Sequence, residues 1–351
     1  MRERPIGVFD SGLGGLTVLH AMVDLLPAED LLYLGDTARY PYGERDLDDL
    51  QRISLAVAEE LVARGIKLLV VACNSATAAA LPTLRDALDV PVVGVVDPGV
   101  RAAAAASRTR RAVVIGTRAT VASGVYEEAA ERLDHGLVVR TVPCPGLVEL
   151  VEEGRTSGPE VTAVVRDRLA PLLSARIDTL VLGCTHFPML ARPISEVVGR
   201  DVTLVSSADE TAFEVRDLLS RLGWLREEEG HGSAAIGHRH YLTTGDPGTF
   251  AVLGERFLGA PLTSVEHVTI ASLEAPTALE APTAPDTTRD TAPDTARDAT
   301  RDAAPDTTRD AAPDAAPDTA HPGELDRPHG HGGRHAGRRQ ADESRWSSAA
   351  T

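Results

Sequence analysis

Two cysteines of this chain stand in matching surroundings. Leu68-Leu69-Val70-Val71-Ala72-Cys73-Asn74-Ser75 runs into an alanine-rich stretch that reaches Pro82. Leu180-Val181-Leu182-Gly183-Cys184-Thr185-His186 runs on in the same way to Pro193, and with Cys73 laid on Cys184 the two prolines fall into register. Each copy reads as an apolar strand, a cysteine, two polar residues and a helical pattern. One such motif would be ordinary, because a buried cysteine is usually a small hydrophobe. Two copies at strand-to-helix turns point to two half-domains that each bring one thiol to a shared cleft. The chemistry on offer is proton transfer, one thiol acting as base and the other as acid. At a helix start the free N–H groups and the macrodipole favour a thiolate, so the sequence predicts pKa values below the ordinary value of about 8.5.

Other residues qualify as helpers. Asp10, in Phe9-Asp10-Ser11-Gly12, ends an apolar run, and His186 follows Cys184 by two residues. Either can pass a proton to or from a thiol, although Asp-Ser before a glycine turn is also an ordinary helix cap. Asn74, Ser75 and Thr185 offer donors beside the thiols, and Ser11, Tyr42 and Gly43 add more at loops after strands. Such donors can hold carboxylates without cationic side chains. Cys144, in Pro143-Cys144-Pro145, lacks this setting and reads as structural. Lys67 is the only lysine, and it stands where a strand begins. That position suits neither a Schiff base nor a Walker loop. Gly12-Leu13-Gly14-Gly15 does not complete a dinucleotide fingerprint.

These residues need a scaffold of alternating strands and helices. Strand candidates are Ile6–Phe9, Leu31–Leu34, Leu68–Ala72, Val92–Val96, Ala112–Ile115, Val138–Val142, Thr179–Leu182 and Thr203–Val205. Short aliphatic runs between amphipathic stretches predict α/β units with mainly parallel sheets. The turn Val96-Asp97 resembles Ser206-Ser207-Ala208-Asp209. Residues 1–97 and 208–270 are therefore expected to form one α/β domain and 98–207 a pseudo-symmetric second, facing a shared cleft. From Asp286 to Asp318 an aspartate recurs every fourth residue, with prolines interspersed. Helix pairing at that period would stack like charges, and there is little apolar surface to bury. Residues 271–351 read as a disordered tail, and His329, His331 and His335 within it read as solvated rather than as a metal site.

Formal charge is −17 over 351 residues, which gives no basic footprint for nucleic acid or an anionic membrane. No stretch has signal-peptide character or the length to span a bilayer. Three cysteines fit a reducing compartment better than a disulfide framework, so a cytoplasmic protein is expected.

Taken together, Phe9-Asp10-Ser11-Gly12-Leu13-Gly14-Gly15, Gly35-Asp36-Thr37 with Pro41-Tyr42-Gly43, Ala72-Cys73-Asn74-Ser75-Ala76 and Gly183-Cys184-Thr185-His186-Phe187-Pro188 resemble the bacterial glutamate racemases over residues 5–270. The resemblance implies interconversion of L- and D-glutamate without a cofactor or metal, supplying D-glutamate for peptidoglycan. It implies Cys73 and Cys184 as the catalytic pair, assisted by Asp10 and His186. Substrate contacts would come from Asp10, Ser11, Tyr42, Gly43, Asn74, Ser75, Thr185 and His186. Glu152 matches a further acid of the family. Ser75 replaces a common threonine and keeps the hydroxyl, whereas Ala119 replaces a glycine, which slightly weakens any role for Thr117 or Thr120. The expected partner is a small acidic amino acid, and the resemblance leaves room for a homodimer. Three other readings stay open: a cysteine hydrolase using His186 as base, a racemase for aspartate, and a two-lobed binding module whose thiols are core residues.

Overall fold

The computed structural model describes residues 1–172, 177–226 and 236–274. Its strands are β1 (Ile6–Asp10), β2 (Leu31–Gly35), β3 (Leu68–Val71), β4 (Val92–Gly94), β5 (Arg111–Gly116), β6 (Val138–Pro143), β7 (Thr179–Gly183), β8 (Thr203–Ser206), β9 (Arg239–Thr243) and β10 (Val265–His267). They form a six-stranded sheet, β10-β9-β2-β1-β3-β4, and a four-stranded sheet, β6-β5-β7-β8. All the strand pairs described are parallel. The order β2-β1-β3-β4 returns as β6-β5-β7-β8, so the cysteine repeat in sequence is a repeat in topology. One bond shows the correspondence: Asp36 N–H donates to the Asp10 carbonyl at 3.0 Å, and Cys144 N–H donates to the Gly116 carbonyl at 2.9 Å.

The central strands β1, β3 and β7 are buried along their whole length, as helix-covered parallel strands must be. Side-chain alternation splits them between faces. Val8, Leu68 and Val70 join one apolar cluster, while Phe9, Leu69 and Val71 join another. The first cluster continues into the four-stranded sheet through Val113, Ile115, Leu180 and Leu182. The described residues therefore cohere as one compact unit. Strands β1–β4, β9 and β10 come from residues before 97 and after 208, and β5–β8 from the segment between.

Two strands have no counterpart among the eight candidates. Arg239–Thr243 opens with arginine and histidine, so it has no apolar run to see. Val265–His267 is a three-residue edge strand with two exposed residues. The candidate Val92–Val96 stops at Gly94, because Val96 already begins the helix Val96–Ala106. At the other end the expected tail begins too early. Ala271–Glu274 forms a helical turn, and Leu273 packs on the cluster containing Ile270. The rest of the tail, with its aspartate repeat and histidines, lies outside the described residues. Among those described, no helix is long and apolar enough to cross a membrane.

Candidate active site

Cys73 ends the stretch after β3 in an extended conformation, and the helix Asn74–Ala87 starts on it. Its thiol donates a hydrogen bond to Ser11 Oγ at 3.7 Å. Asp10, at the end of β1, is fully buried. Its carboxylate accepts the Gly12 N–H at 3.0 Å and the Thr185 hydroxyl at 3.3 Å. Burial raises the Asp10 pKa, against the charge of His186 and these bonds. Burial, followed by the charge of Asp10, pushes the Cys73 thiol up to about 12. This corrects the expected lowering at the helix start. A backbone hydrogen bond at Ala76 does lower the thiol, but desolvation outweighs it.

The surroundings of Cys184 differ. The expected helix start is absent there, and a 3₁₀ turn, Phe187–Leu190, separates the cysteine from the helix Ala191–Val198. Pro188 has no N–H to give the Cys184 carbonyl in an α-helical i→i+4 bond, and i→i+3 bonds close the turn instead, from Phe187 N–H to Cys184 O and from Met189 N–H to His186 O, both 3.1 Å. His186 Nδ1 lies 3.9 Å from the Cys184 sulfur, and its Nε2 lies 2.6 Å from Glu152 Oε1. Burial alone would lower the imidazole. Hydrogen bonds and charge from Cys184 and Glu152 outweigh it and raise His186 to about 10. A cationic ring therefore flanks Cys184, whereas a protonated thiol stands at Cys73.

Both cysteines line one cavity of about 30 Å³. Ser11, Tyr42, Gly43, Asn74, Ser75, Thr185 and His186 line it too, and Asp10 sits behind Thr185. Asn74 Oδ1 accepts the Tyr126 hydroxyl at 2.7 Å, while its Nδ2 is buried with no protein partner among the described residues. Ser75 is bonded to Thr117 at 2.8 Å, so the alanine at 119 does not keep Thr117 from the site. Tyr42 donates to Asp36 Oδ2 at 2.6 Å, and Asp36 also holds Arg39 and Thr244 at 2.7 Å each.

Some members of the site were not visible as such. Cys144, read as structural, is buried and lines the same cavity. Tyr40 and Asp36 carried no signal of a role beyond their place in or near the motifs, and Tyr126 carried none. The glycine cluster finds a steric explanation. A Cβ on Gly14 would collide with the Thr185 hydroxyl and the His186 ring, and one on Gly15 with Asp10 and Tyr33. Lys67 is fully buried against Glu29 at 2.6 Å and is not among the cavity residues.

Residues 6–214 match the family model described as Asp/Glu/Hydantoin racemase. A glutamate racemase of Parafrankia sp. is 49% identical over 281 residues, covering 80% of this chain and 99% of its own. One from Geobacter metallireducens is 46% identical, covering 78% and 99%. Among solved structures, a glutamate racemase isoform from Bacillus anthracis superposes with a TM-score of 0.72 at 40% identity, covering 77% of this chain and 98% of its own. The Francisella tularensis glutamate racemase in complex with D-glutamate gives 0.71 at 31% identity, covering 78% and 100%. The chain, an isomerase, belongs to the aspartate/glutamate/hydantoin racemase family.

Proposed function

We propose that this chain racemises glutamate by moving protons between two thiols, with no cofactor taking part. The observation that supports it most is the placing of Cys73 and Cys184, each after the third strand of a repeated sheet, on the walls of one cavity. Inverting a Cα centre requires a proton to leave one face and another to arrive at the opposite face. In one direction Cys184, beside the cationic His186, takes the α-proton and Cys73, held as a thiol, delivers its own. In the other direction the roles exchange. Negative charge on the intermediate is met by fixed dipoles: the start of the helix Asn74–Ala87, the free Asn74 amide and the hydroxyls of Ser75 and Thr185. The only lysine is locked to Glu29 and is not among the cavity residues, so no side-chain amine is placed to form a Schiff base there.

Glutamate is the proposed substrate because relatives 46–49% identical carry that activity in their names and one similar structure was solved with D-glutamate. D-glutamate for peptidoglycan, made in the cytoplasm, is the corresponding role. Residues 1–97 with 208–270 and residues 98–207 would act as two lobes. Both lobes supply walls of the cavity, Ser11, Tyr42, Cys73 and Asn74 from the first and Cys144, Cys184, Thr185 and His186 from the second.

The test uses Cys73→Ala and Cys184→Ala separately. Both should lose racemisation, followed by circular dichroism with L-glutamate and with L-aspartate. In heavy water, each should exchange the α-hydrogen of one enantiomer only, and the two should choose opposite enantiomers. Exchange of both enantiomers by the same variant would mean that one base serves both faces.

A further inference from the structure

Asn74 has one end tied and one end free. Its side chain is nearly fully buried, its Oδ1 takes the Tyr126 hydroxyl, and its Nδ2 has no protein partner among the described residues. The two ends of a carboxamide are almost the same size and shape, so which one faces the cavity depends on what holds the other. Tyr126 is fully buried in the helix Val125–Leu133 and packs with Val114 and Val181 of the four-stranded sheet. Asn74 opens the helix that follows β3 of the six-stranded sheet. The bond therefore runs from the layer of one sheet to the layer of the other. Burial, then the charge of Cys184, raises the tyrosine pKa, which keeps the hydroxyl protonated and donating.

We propose that Tyr126 is a positioning residue that sets substrate specificity by pinning Asn74 Oδ1, so that the amide NH₂ faces a substrate carboxylate. The inference rests on Asn74 being a substrate contact. Without the hydroxyl the amide can turn over about χ2 and present its oxygen. That oxygen repels a carboxylate and accepts a hydrogen bond from a carboxamide.

Tyr126→Phe removes a single oxygen and tests this in the full chain. Three readouts are combined: kcat and KM for glutamate, inhibition constants for glutamine and isoglutamine (carboxamides at the two possible positions), and melting temperature. The substitution should lower kcat/KM at least tenfold, mainly through KM. It should also shift the affinity ratio of glutamate to one of the two carboxamides at least tenfold toward the carboxamide. A double-mutant cycle separates orientation from packing. In an Asn74→Ala background, where the hydroxyl has lost its partner, adding Tyr126→Phe should change kcat/KM less than twofold and cost less in melting temperature than it does in the parent. An equal loss of kcat/KM in both backgrounds, or an unchanged carboxamide ratio, would overturn the role of Tyr126 and leave the racemase reading intact. If Asn74→Ala itself stays within twofold of the parent, Asn74 is not a substrate contact and the inference falls with it. A parent enzyme that does not racemise glutamate would instead sink the functional reading.

Discussion

Set side by side, the β1–β4 and β5–β8 halves each put a cysteine after their third strand and a charged residue six positions before it. In the first half this is Lys67, whose Nζ donates to Glu29 at 2.6 Å and to the carbonyls of Arg2 and Trp224 at 2.9 and 3.0 Å. In the second it is Asp178, which accepts Ser107 Oγ and the N–H groups of Arg108 and Thr109 at 2.7–2.8 Å. Both anchor the start of the strand that carries the thiol, with opposite charge. The thiols themselves diverge further. Cys73 has a serine hydroxyl and a buried carboxylate beside it, and Cys184 has an imidazolium backed by Glu152. The repeated backbone thus decides where the two groups stand, and the side chains around them decide how each behaves.

The comparison breaks most visibly when one flank is stripped. His186→Asn removes the cation beside Cys184 only. It should slow α-hydrogen exchange of one enantiomer by about 10²–10⁴-fold, the range typical of acid–base assistance, and the other enantiomer far less. Asp10→Asn should show the reverse preference. Proton NMR in heavy water reads both, and equal slowing of both enantiomers would erase the difference between the flanks.

Stability gives the next largest effects. Lys67→Ala leaves Glu29 buried without its partner and should cost about 3–5 kcal/mol. Asp178→Ala abandons donors at a turn and should cost about 1–3 kcal/mol. Urea denaturation measures both, and the opposite ranking would mean that the stranded charge of Glu29 does not set the larger cost.

A smaller effect follows pH. His186 is raised to about 10 in the folded chain, above an unfolded value of about 6.5. Its stabilising contribution is then complete below the lower value and is lost as pH rises through the upper one. The melting-temperature lead of the parent over His186→Asn should shrink across that window and be gone above it. The smallest change is expected for Glu152→Gln, which keeps an acceptor for Nε2 but removes the charge. It should cost activity less than tenfold while moving the alkaline limb of the pH–rate profile downward, and an unmoved limb would detach Glu152 from His186.

How much of this could be read beforehand depended on whether a residue announced itself locally. The eight strands with aliphatic runs were legible, and so were Cys73 and Cys184, because a repeat is a pattern that chance rarely produces. Arg239–Thr243 was not legible, since its strand character comes from pairing with β2 rather than from its own composition. The thiol environment at Cys73 was misjudged because a helix start is local and visible, whereas depth of burial is a property of the whole fold. Tyr126 gave no sign at all. A tyrosine in an amphipathic helix looks like core, and only the distant Asn74 gives its hydroxyl a purpose.

Lys67 has a practical consequence. It is the only side-chain amine in the sequence, and it is closed off from solvent. An acylating reagent can reach it only while the start of β3 is exposed, so the rate at which residue 67 gains label is a clock for the opening of this part of the six-stranded sheet. Mass spectrometry of a single peptide then reports that opening directly, with no competing lysine to correct for.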